Sequence, residues 1–128
     1  VHPAVIDGVC RVLRNGRVRV LELPGARHLS GDVFKRLMAA IKQSASTLES
    51  LNLDRCGLTL ADVHELAAVL PELKRLRELR LPNNDLGDAG VIALAPVLAV
   101  MASMEALSFA NNRIGDAGAI ALAPSLAF

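Results

Sequence analysis

The fold is decided by the stretch LRELRLPNNDLGDAGVIALAPVLA, residues 76–99. It is repeated as MEALSFANNRIGDAGAIALAPSLA, residues 104–127, at an offset of 28. A related segment, LESLNLDRCGLTLADVHELAAVL, begins at Leu48 and precedes the first stretch by the same offset. A fourth, VRVLELPGARHLSGDVFKRLMAAI, begins at Val18, at an offset of 30 from the segment after it. Four related segments predict a repeat protein, because such units cannot bury their apolar faces alone and must stack to form a core.

Within each unit the apolar residues change their spacing halfway along. Leu79 and Leu81 are separated by one polar residue, which is typical of a short strand. Val91, Leu94 and Leu98 are three and four residues apart, which predicts one face of a helix. Each unit is therefore predicted to be strand, turn and helix. Because equivalent strands are joined through helices, we expect a parallel sheet with right-handed connections.

Polar side chains stand where these helices are expected to begin. Asp88, Asp116 and the pair of Ser30 and Asp32 occupy these positions. An N-cap side chain accepts a hydrogen bond from a free amide of the first helical turn. We therefore predict that these residues cap their own helices.

Residues 1–17 fit the same scheme. Val5, Val9 and Leu13 are helically spaced, and Gly16 follows an asparagine as a helix stop. The segment is interpreted as the helical half of a preceding repeat or as a capping helix. The first interpretation is preferred because the spacing of Val9 and Leu13 matches that of an apolar pair in the next helix. The predicted organisation is residues 1–17, N-terminal helix; 18–47, repeat 1; 48–75, repeat 2; 76–103, repeat 3; and 104–128, repeat 4, which we expect to be truncated.

The pattern LxxLxLxxN/CxL, repeated with a helix, resembles the leucine-rich repeat of the ribonuclease-inhibitor-like class. The resemblance covers residues 18–128. It implies an α/β solenoid, a right-handed superhelix with a parallel sheet on the concave face and helices on the convex face. It also implies that Cys56, Asn84 and Asn112 hold the turn after each strand through hydrogen bonds to the backbone. The first unit departs from the pattern, since PGARHL, residues 24–29, has an extra residue and neither Asn nor Cys.

Composition excludes several classes of protein. The 128 residues are 52% hydrophobic and 2% aromatic, with a net charge of +1. A disordered chain has low hydrophobicity or high net charge, and a nucleic-acid binder usually has a basic excess with aromatic rings for stacking. Neither description fits. Cys10 and Cys56 are too few for a disulfide framework, so we expect a reducing, cytoplasmic compartment. The longest uncharged run, residues 89–104, is shorter than the roughly 20 residues of a membrane span.

The residue types that carry catalysis are scattered. Cys56 and His64 are eight residues apart, but the resemblance places Cys56 at a buried position. A metal site would need His2 and His28, which lie in distant segments and lack the sequence spacing typical of metal ligands. The LGDAG and IGDAG segments resemble neither a Walker loop nor a dinucleotide fingerprint. We expect no catalytic residue, no metal site and no cofactor.

Two surfaces remain as candidate partner-binding sites. On the strands, the side chains between the leucines should face the concave side, since they alternate along a strand. The alternative is a solvated sheet whose charges pair with one another. The candidate concave residues are Glu22, Asn52, Asp54, Arg55, Glu78, Arg80 and Ser108.

The convex side changes from basic in the first repeat to apolar in the last two. Exposed apolar patches usually mark contacts, whereas alanine on a helix can reflect helix propensity alone. This flank is predicted to pack against further repeats or other subunits. Its candidate residues are Ile92, Pro96, Val100 and Ile120.

The resemblance implies a non-catalytic scaffold that binds another protein, without nucleic acid or a membrane span. One alternative is a regulator of a GTPase, similar to the Ran GTPase-activating proteins. Another is the recognition module of an intracellular immune receptor, a ubiquitin-ligase adaptor or a bacterial effector. No residue pattern names the partner.

Overall fold

Strands and helices alternate along the chain in the computed structural model, which describes residues 3–26, 29 and 31–126. A helix comes first, and each strand after it is followed by another helix. The helices are α1 Pro3–Arg14, α2 Asp32–Gln43, α3 Leu60–Val69, α4 Gly87–Ala99 and α5 Asp116–Leu122; the strands are β1 Val20–Glu22, β2 Ser50–Asn52, β3 Glu78–Arg80 and β4 Ala106–Ser108; and 3-10 turns span Leu70–Glu72 and Ala123–Leu126.

The four strands form one parallel sheet in the order β1-β2-β3-β4. The register pairs Leu21 with Leu51, Leu51 with Leu79, and Leu79 with Leu107. This is the register that superimposes the sequence repeats. The predicted parallel α/β repeat is therefore confirmed, because the same leucine in each unit occupies the same place in the sheet.

The core lies between the sheet and the helices. Leu51 and Leu79 enter it from the strands, and both are fully buried. Leu66 and Leu94 enter it from the helices and are equally buried. Because each repeat contributes a strand leucine and at least one helix leucine, the core is a thin layer that runs the length of the array. Leu107 in β4 is only partly buried, so this layer is open at its last strand.

Helix α1 packs against α2 and buries Ile6, Cys10 and Leu13. Val5 is helically spaced with Val9 and Leu13 but does not share the buried face of the helix, since its side chain is 53% exposed. Val9 is partly buried beside the core. The three buried positions of α1 have equivalents in α2 at the offset of the sequence repeat, and these are Phe34, Met38 and Ile41, all buried.

The predicted helix caps are wrong for the residues that the structure describes. Helix α4 begins at Gly87, so Asp88 lies inside its first turn, and α5 begins at Asp116 itself. Helix α2 likewise begins at Asp32, without a capping side chain, and Ser30 lies outside the described residues. These carboxylates lie one or two residues past the N-cap position, and α2, α4 and α5 have no hydrogen bond from an N-cap side chain.

Asp88 caps the helix of the next repeat instead. Its Oδ1 atom accepts hydrogen bonds from Gly115 N at 2.7 Å and from Gly118 N at 3.0 Å. The carboxylate can approach because position 118 has no side chain: a Cβ atom there would lie 2.6 Å from Asp88 Oδ1. A helix terminus in this array is therefore completed by a neighbouring repeat.

Asp62 joins its repeat to the preceding one in a similar way. Its side chain forms a capping box with Thr59 at the start of α3. The same carboxylate accepts a hydrogen bond from Gly31 N at 3.0 Å, just before α2 begins. Asp62 is 2% exposed, so these hydrogen bonds are shielded from solvent.

The asparagine ladder runs through the turns after the strands. Asn84 Oδ1 accepts from Cys56 N at 2.9 Å, and Asn112 Oδ1 accepts from Asn84 N at 2.9 Å. Asn84 Nδ2 donates to Leu53 O, and Asn112 Nδ2 donates to Leu81 O, both at 2.7 Å. Each asparagine therefore satisfies a buried amide and a carbonyl of the preceding repeat, as the resemblance implies.

Cys56 holds the same ladder position one repeat earlier. Its thiol donates to Leu23 O, with an Sγ to O distance of 3.1 Å. In the first repeat the position falls on Ala26, which is buried and whose amide donates back to Leu23 O at 3.4 Å. The first turn is thus closed by its own backbone and by the thiol of the next repeat.

Candidate functional site

The concave face, defined as the face of the sheet opposite the helices, carries two columns of side chains. They alternate with the buried leucines, so they face the other way. The strand register places each member beside its equivalent in the next repeat. One column contains Val20, Ser50, Glu78 and Ala106, and the other contains Glu22, Asn52, Arg80 and Ser108.

The middle of this face is polar and internally connected. Arg80 Nη2 lies 3.7 Å from Glu78 Oε2, and both side chains are 45% exposed. Ser50 Oγ donates to Glu78 Oε2 at 3.4 Å, across the gap between two strands. The alternative interpretation was a solvated sheet whose charges pair with one another, and the pairing of these charges agrees with that part of it. Both side chains still present close to half of their surface to solvent.

Asp54 and Arg55 lie in the turn just after β2. Asp54 is held in place by Asn83, whose Nδ2 atom donates to Asp54 Oδ1 at 2.9 Å. Arg55 has a left-handed backbone, with φ of 54°, and is exposed. Of these two predicted site residues, Asp54 is thus tied to the next repeat, whereas Arg55 extends into solvent.

A row of alternating charges precedes the strands, and no motif in the sequence pointed to it. Arg19 Nε lies 2.8 Å from Glu49 Oε2, and Arg77 Nη1 lies 3.5 Å from Glu49 Oε1. Arg77 Nε then lies 2.7 Å from Glu105 Oε2. The hydrogen bond from Arg19 lowers the pKa of Glu49, and the hydrogen bond to Glu105 raises the pKa of Arg77. The signal that could have found this charge row is the repeat offset, since the four residues occupy equivalent positions with alternating sign.

Cys56 is poorly suited to act as a nucleophile. It is fully buried, and this burial raises the pKa of its thiol to about 11. The thiolate is the reactive form, so this side chain is almost entirely protonated near neutral pH. His64 is exposed on α3. The geometry gives Cys56 a structural task, which is the hydrogen bond to Leu23 O.

Titratable and sulfur-containing side chains are dispersed over the part of the chain that the structure describes. Within it, no group of three or more His, Cys, Asp or Glu side chains is arranged to hold a metal ion. His2 and His28 lie outside the described residues. Over the same part of the chain, no helix is long and apolar enough to cross a membrane.

The convex apolar flank is exposed where the sequence predicts it. Val100 is 76% exposed and Ile120 is 74% exposed, while Ile92 is 47% exposed. Pro96 is also exposed, inside α4. Ala93, on the same helix, packs partly against the core instead of facing outward. The flank is therefore an open series of branched side chains on the last two repeats.

Comparison with known protein families finds a match in the second half of the chain. A family described as "Leucine Rich repeat" matches residues 74–95 and 100–123. Residues 74–123 are leucine-rich repeats. They are of the ribonuclease-inhibitor type, and their strands β3 and β4 continue the parallel α/β repeat of β1 and β2, an arrangement consistent with a leucine-rich repeat solenoid. No curated protein matches the chain.

The leucine-rich repeat assignment carries a general functional implication. Domains of this kind are typically non-catalytic scaffolds that bind proteins, and their strands present the side chains of successive repeats side by side. The two matched segments include β3, most of α4, β4 and α5. They also include Glu78 and Arg80 at the middle of the concave face.

Proposed function

We propose that this protein is a non-catalytic leucine-rich repeat scaffold that binds a polar surface of another protein through the concave face. The contact is centred on four residues, Asp54, Arg55, Glu78 and Arg80. The partner presents charges of both signs to this surface. Arginine is enriched among the residues that dominate binding energy, because its planar guanidinium forms paired hydrogen bonds with carboxylates.

One observation supports this proposal above the others: Arg80 and Glu78 are paired yet 45% exposed in the middle of the sheet. An exposed ion pair contributes little to folding, roughly 0–1 kcal/mol. Its charges can therefore exchange their mutual contact for contacts with a partner at small cost. The flat column of side chains beside them leaves room for a complementary surface.

Site-specific photocrosslinking tests the proposal even while the partner is unidentified. A photoreactive amino acid is placed at Arg80 on the concave face or at Lys35, an exposed position on α2. We expect a partner protein to be captured from position 80 and not from position 35. The captured partner is then purified and its affinity is measured by calorimetric titration.

The decisive measurement is the effect of reversing the charges. The double variant Arg80→Glu with Asp54→Arg should weaken binding at least tenfold, because like charges then face each other across the interface. The matched control Lys35→Glu changes charge on the convex side and should leave the affinity unchanged. Circular dichroism checks that the double variant folds, since Asp54 also holds Asn83. Equal affinity of both variants for the partner would contradict the proposal.

A further inference from the structure

An apolar groove lies between the ends of the second and third repeats, at the edge of the array where the strands begin. One wall is the 3-10 turn and loop after α3, and the other is the loop after α4. Leu70 and Leu73 form its floor, since they line it and are almost fully buried. Val100, part of the convex apolar flank, lines it and is 76% exposed. The groove has a volume of about 250 Å³, which exceeds the roughly 150 Å³ of a cavity that holds benzene.

A difference between equivalent positions of the two repeats opens the groove. At the offset of 28, Val100 corresponds to Glu72, and Ala102 corresponds to Lys74. Glu72 Oε2 lies 3.5 Å from Lys42 Nζ of the preceding repeat, whereas a valine cannot form such an ion pair. Alanine at position 102 is shorter than lysine and leaves the groove open. The third repeat therefore presents an apolar wall where the second presents charge.

Hydrogen bonds to the backbone hold both walls in place. Leu73 N donates to Leu70 O at 3.0 Å and closes the turn of the first wall. Ser103 Oγ donates to Leu76 O at 2.7 Å and ties the second wall to the chain just after the first. A groove that is already formed loses little conformational freedom when it is filled, so binding costs less free energy.

Two exposed cations lie beside the groove. Lys74 lines its rim and Arg75 follows it in the chain, and neither forms an ion pair with a described residue. Glu49, the carboxylate nearest in effect, already pairs with Arg19 and Arg77. The hydrogen bond from Arg19 lowers the pKa of Glu49, and the charge of Arg75 lowers it further. Positive charge is therefore in excess beside the groove, and it favours an acidic ligand.

The position of the groove limits what can fill it. Both walls belong to consecutive repeats that already stack, so a further repeat at either end of the array would not cover it. The floor is recessed to buried leucines, so a flat lipid surface would leave it empty. In the described part of the chain no phenylalanine is exposed, since Phe34 is fully buried and Phe109 is partly buried. A second copy therefore offers no aromatic side chain from these residues.

We infer that this groove binds an acidic segment of a partner protein, which inserts one aromatic side chain between the two walls. The ring packs against Val100 and the buried leucines. Carboxylates on either side of the ring pair with Lys74 and Arg75. The site lies outside the concave face, so it is an additional contact and does not depend on the proposed function.

A short peptide probes this site in the whole chain. The peptide DEFED, with both ends blocked, carries one phenylalanine between two pairs of carboxylates. Its titration into the isotope-labelled protein, followed by nuclear magnetic resonance, should give saturable shifts of the backbone amides in residues 70–77 and 100–103. The peptide DEAED should bind at least tenfold more weakly, because alanine buries far less apolar surface in the groove.

A variant of the groove wall tests where the ring binds. Val100→Asp places a carboxylate in the wall and should weaken the binding of DEFED at least tenfold. The side chain at this position is largely exposed, so the fold should tolerate the change. Ile120→Asp, at a side chain that is 74% exposed on α5, is the matched control and should leave the affinity unchanged.

Charge exchange tests the role of the two cations. Lys74→Glu combined with Arg75→Glu should weaken the binding of DEFED at least tenfold. The peptide KRFRK should then bind this double variant at least tenfold more tightly than it binds the natural chain. Arg11→Glu combined with Lys35→Glu makes the same change of net charge at exposed positions on α1 and α2, and it should alter neither affinity by more than twofold.

The concave-face variant Arg80→Glu with Asp54→Arg should bind DEFED like the natural chain, which separates this site from the proposed function. The inference would be overturned by a lack of saturable binding, by equal binding of DEFED and DEAED, or by equal losses in the two charge-reversed double variants. Binding to phosphatidylserine vesicles without binding to DEFED would assign the edge to a membrane. Self-association that DEFED disrupts, seen by analytical ultracentrifugation, would assign the groove to a second copy. Loss of DEFED binding when natural sequence is added at either end of the chain would assign it to that sequence.

Discussion

Replacing Asn84 with alanine breaks the ladder between the second and third repeats. Asn84 is 2% exposed, and its Oδ1 atom accepts from Cys56 N at 2.9 Å while its Nδ2 atom donates to Leu53 O at 2.7 Å. Alanine removes both hydrogen bonds. Leu53 and Cys56 are fully buried, so the freed amide and carbonyl stay inside the core.

The cost follows from the number of buried groups left without a partner. Each unsatisfied buried donor or acceptor costs about 1–3 kcal/mol. With two such groups, the free energy of unfolding should fall by about 2–6 kcal/mol. This is a large fraction of the roughly 5–15 kcal/mol that stabilises a natural domain.

Urea unfolding followed by far-ultraviolet circular dichroism measures this loss. For a slope of about 2 kcal/mol per molar urea, the midpoint should fall by about 1–3 M. Hydrogen exchange provides a local check, since the Cys56 amide should lose protection at least tenfold. Leu79→Ala, which empties a fully buried strand position, is a positive control with an expected loss of about 2–5 kcal/mol.

Two further variants make the result specific. Asn52→Ala removes an asparagine on the concave face whose Oδ1 atom accepts only a local hydrogen bond, from Asp54 N at 3.1 Å, and it should cost about 1 kcal/mol or less. Asn84→Cys should recover part of the loss, because Cys56 shows that a thiol at this position can donate to the preceding repeat. If Asn84→Ala and Asn52→Ala unfolded at the same urea concentration, the assignment of the ladder would be refuted.

Two other predictions concern the helix caps and the buried thiol. Asp88→Ala removes the acceptor for Gly115 N and Gly118 N and should destabilise the fourth repeat by about 0.5–2 kcal/mol. The loss is measured as faster amide hydrogen exchange in α5, and unchanged exchange there would contradict capping across repeats. The Cys56 thiol, with its pKa raised to about 11 by burial, should resist alkylation at pH 8 in the folded protein and react in 8 M urea, as followed by mass spectrometry. Rapid alkylation of the folded chain would refute the burial argument. Because the pKa of the unfolded thiol is near 9.0, the contribution of this thiol to the free energy of unfolding should be lost as the pH rises from about 9 to 11.

The repeat pattern predicted the architecture because each unit has the same spacing of apolar residues, first for a strand and then for a helix. Leucines alternate in the strand and step by three and four in the helix, so both elements and the register followed from the repeat offset. The pattern was less reliable at helix α1, where the choice of buried face depends on α2. Val5 and Ile6 are adjacent and similar in hydrophobicity, yet packing exposes the first and buries the second.

The candidate site was predicted as a set of positions and not as a set of contacts. Glu78 and Arg80 were expected on the concave face because side chains alternate along a strand. The hydrogen bond from Ser50 to Glu78 and the one from Asn83 to Asp54 depend on how side chains of different repeats meet after folding. The charge row of Arg19, Glu49, Arg77 and Glu105 was missed because its members are isolated in sequence and become neighbours only in the sheet.

The sequence by itself determined the repeat and the parallel order of the strands, and the resemblance to leucine-rich repeats implied the ladder residues. The repeat and the strand order arise from periodic apolar spacing, which every unit carries within its own residues. Only the tertiary structure decided which amide each carboxylate caps and which charged side chains become neighbours in the sheet. Asp88 shows the physical reason: its partners belong to the next repeat, so they take their positions only when the repeats stack.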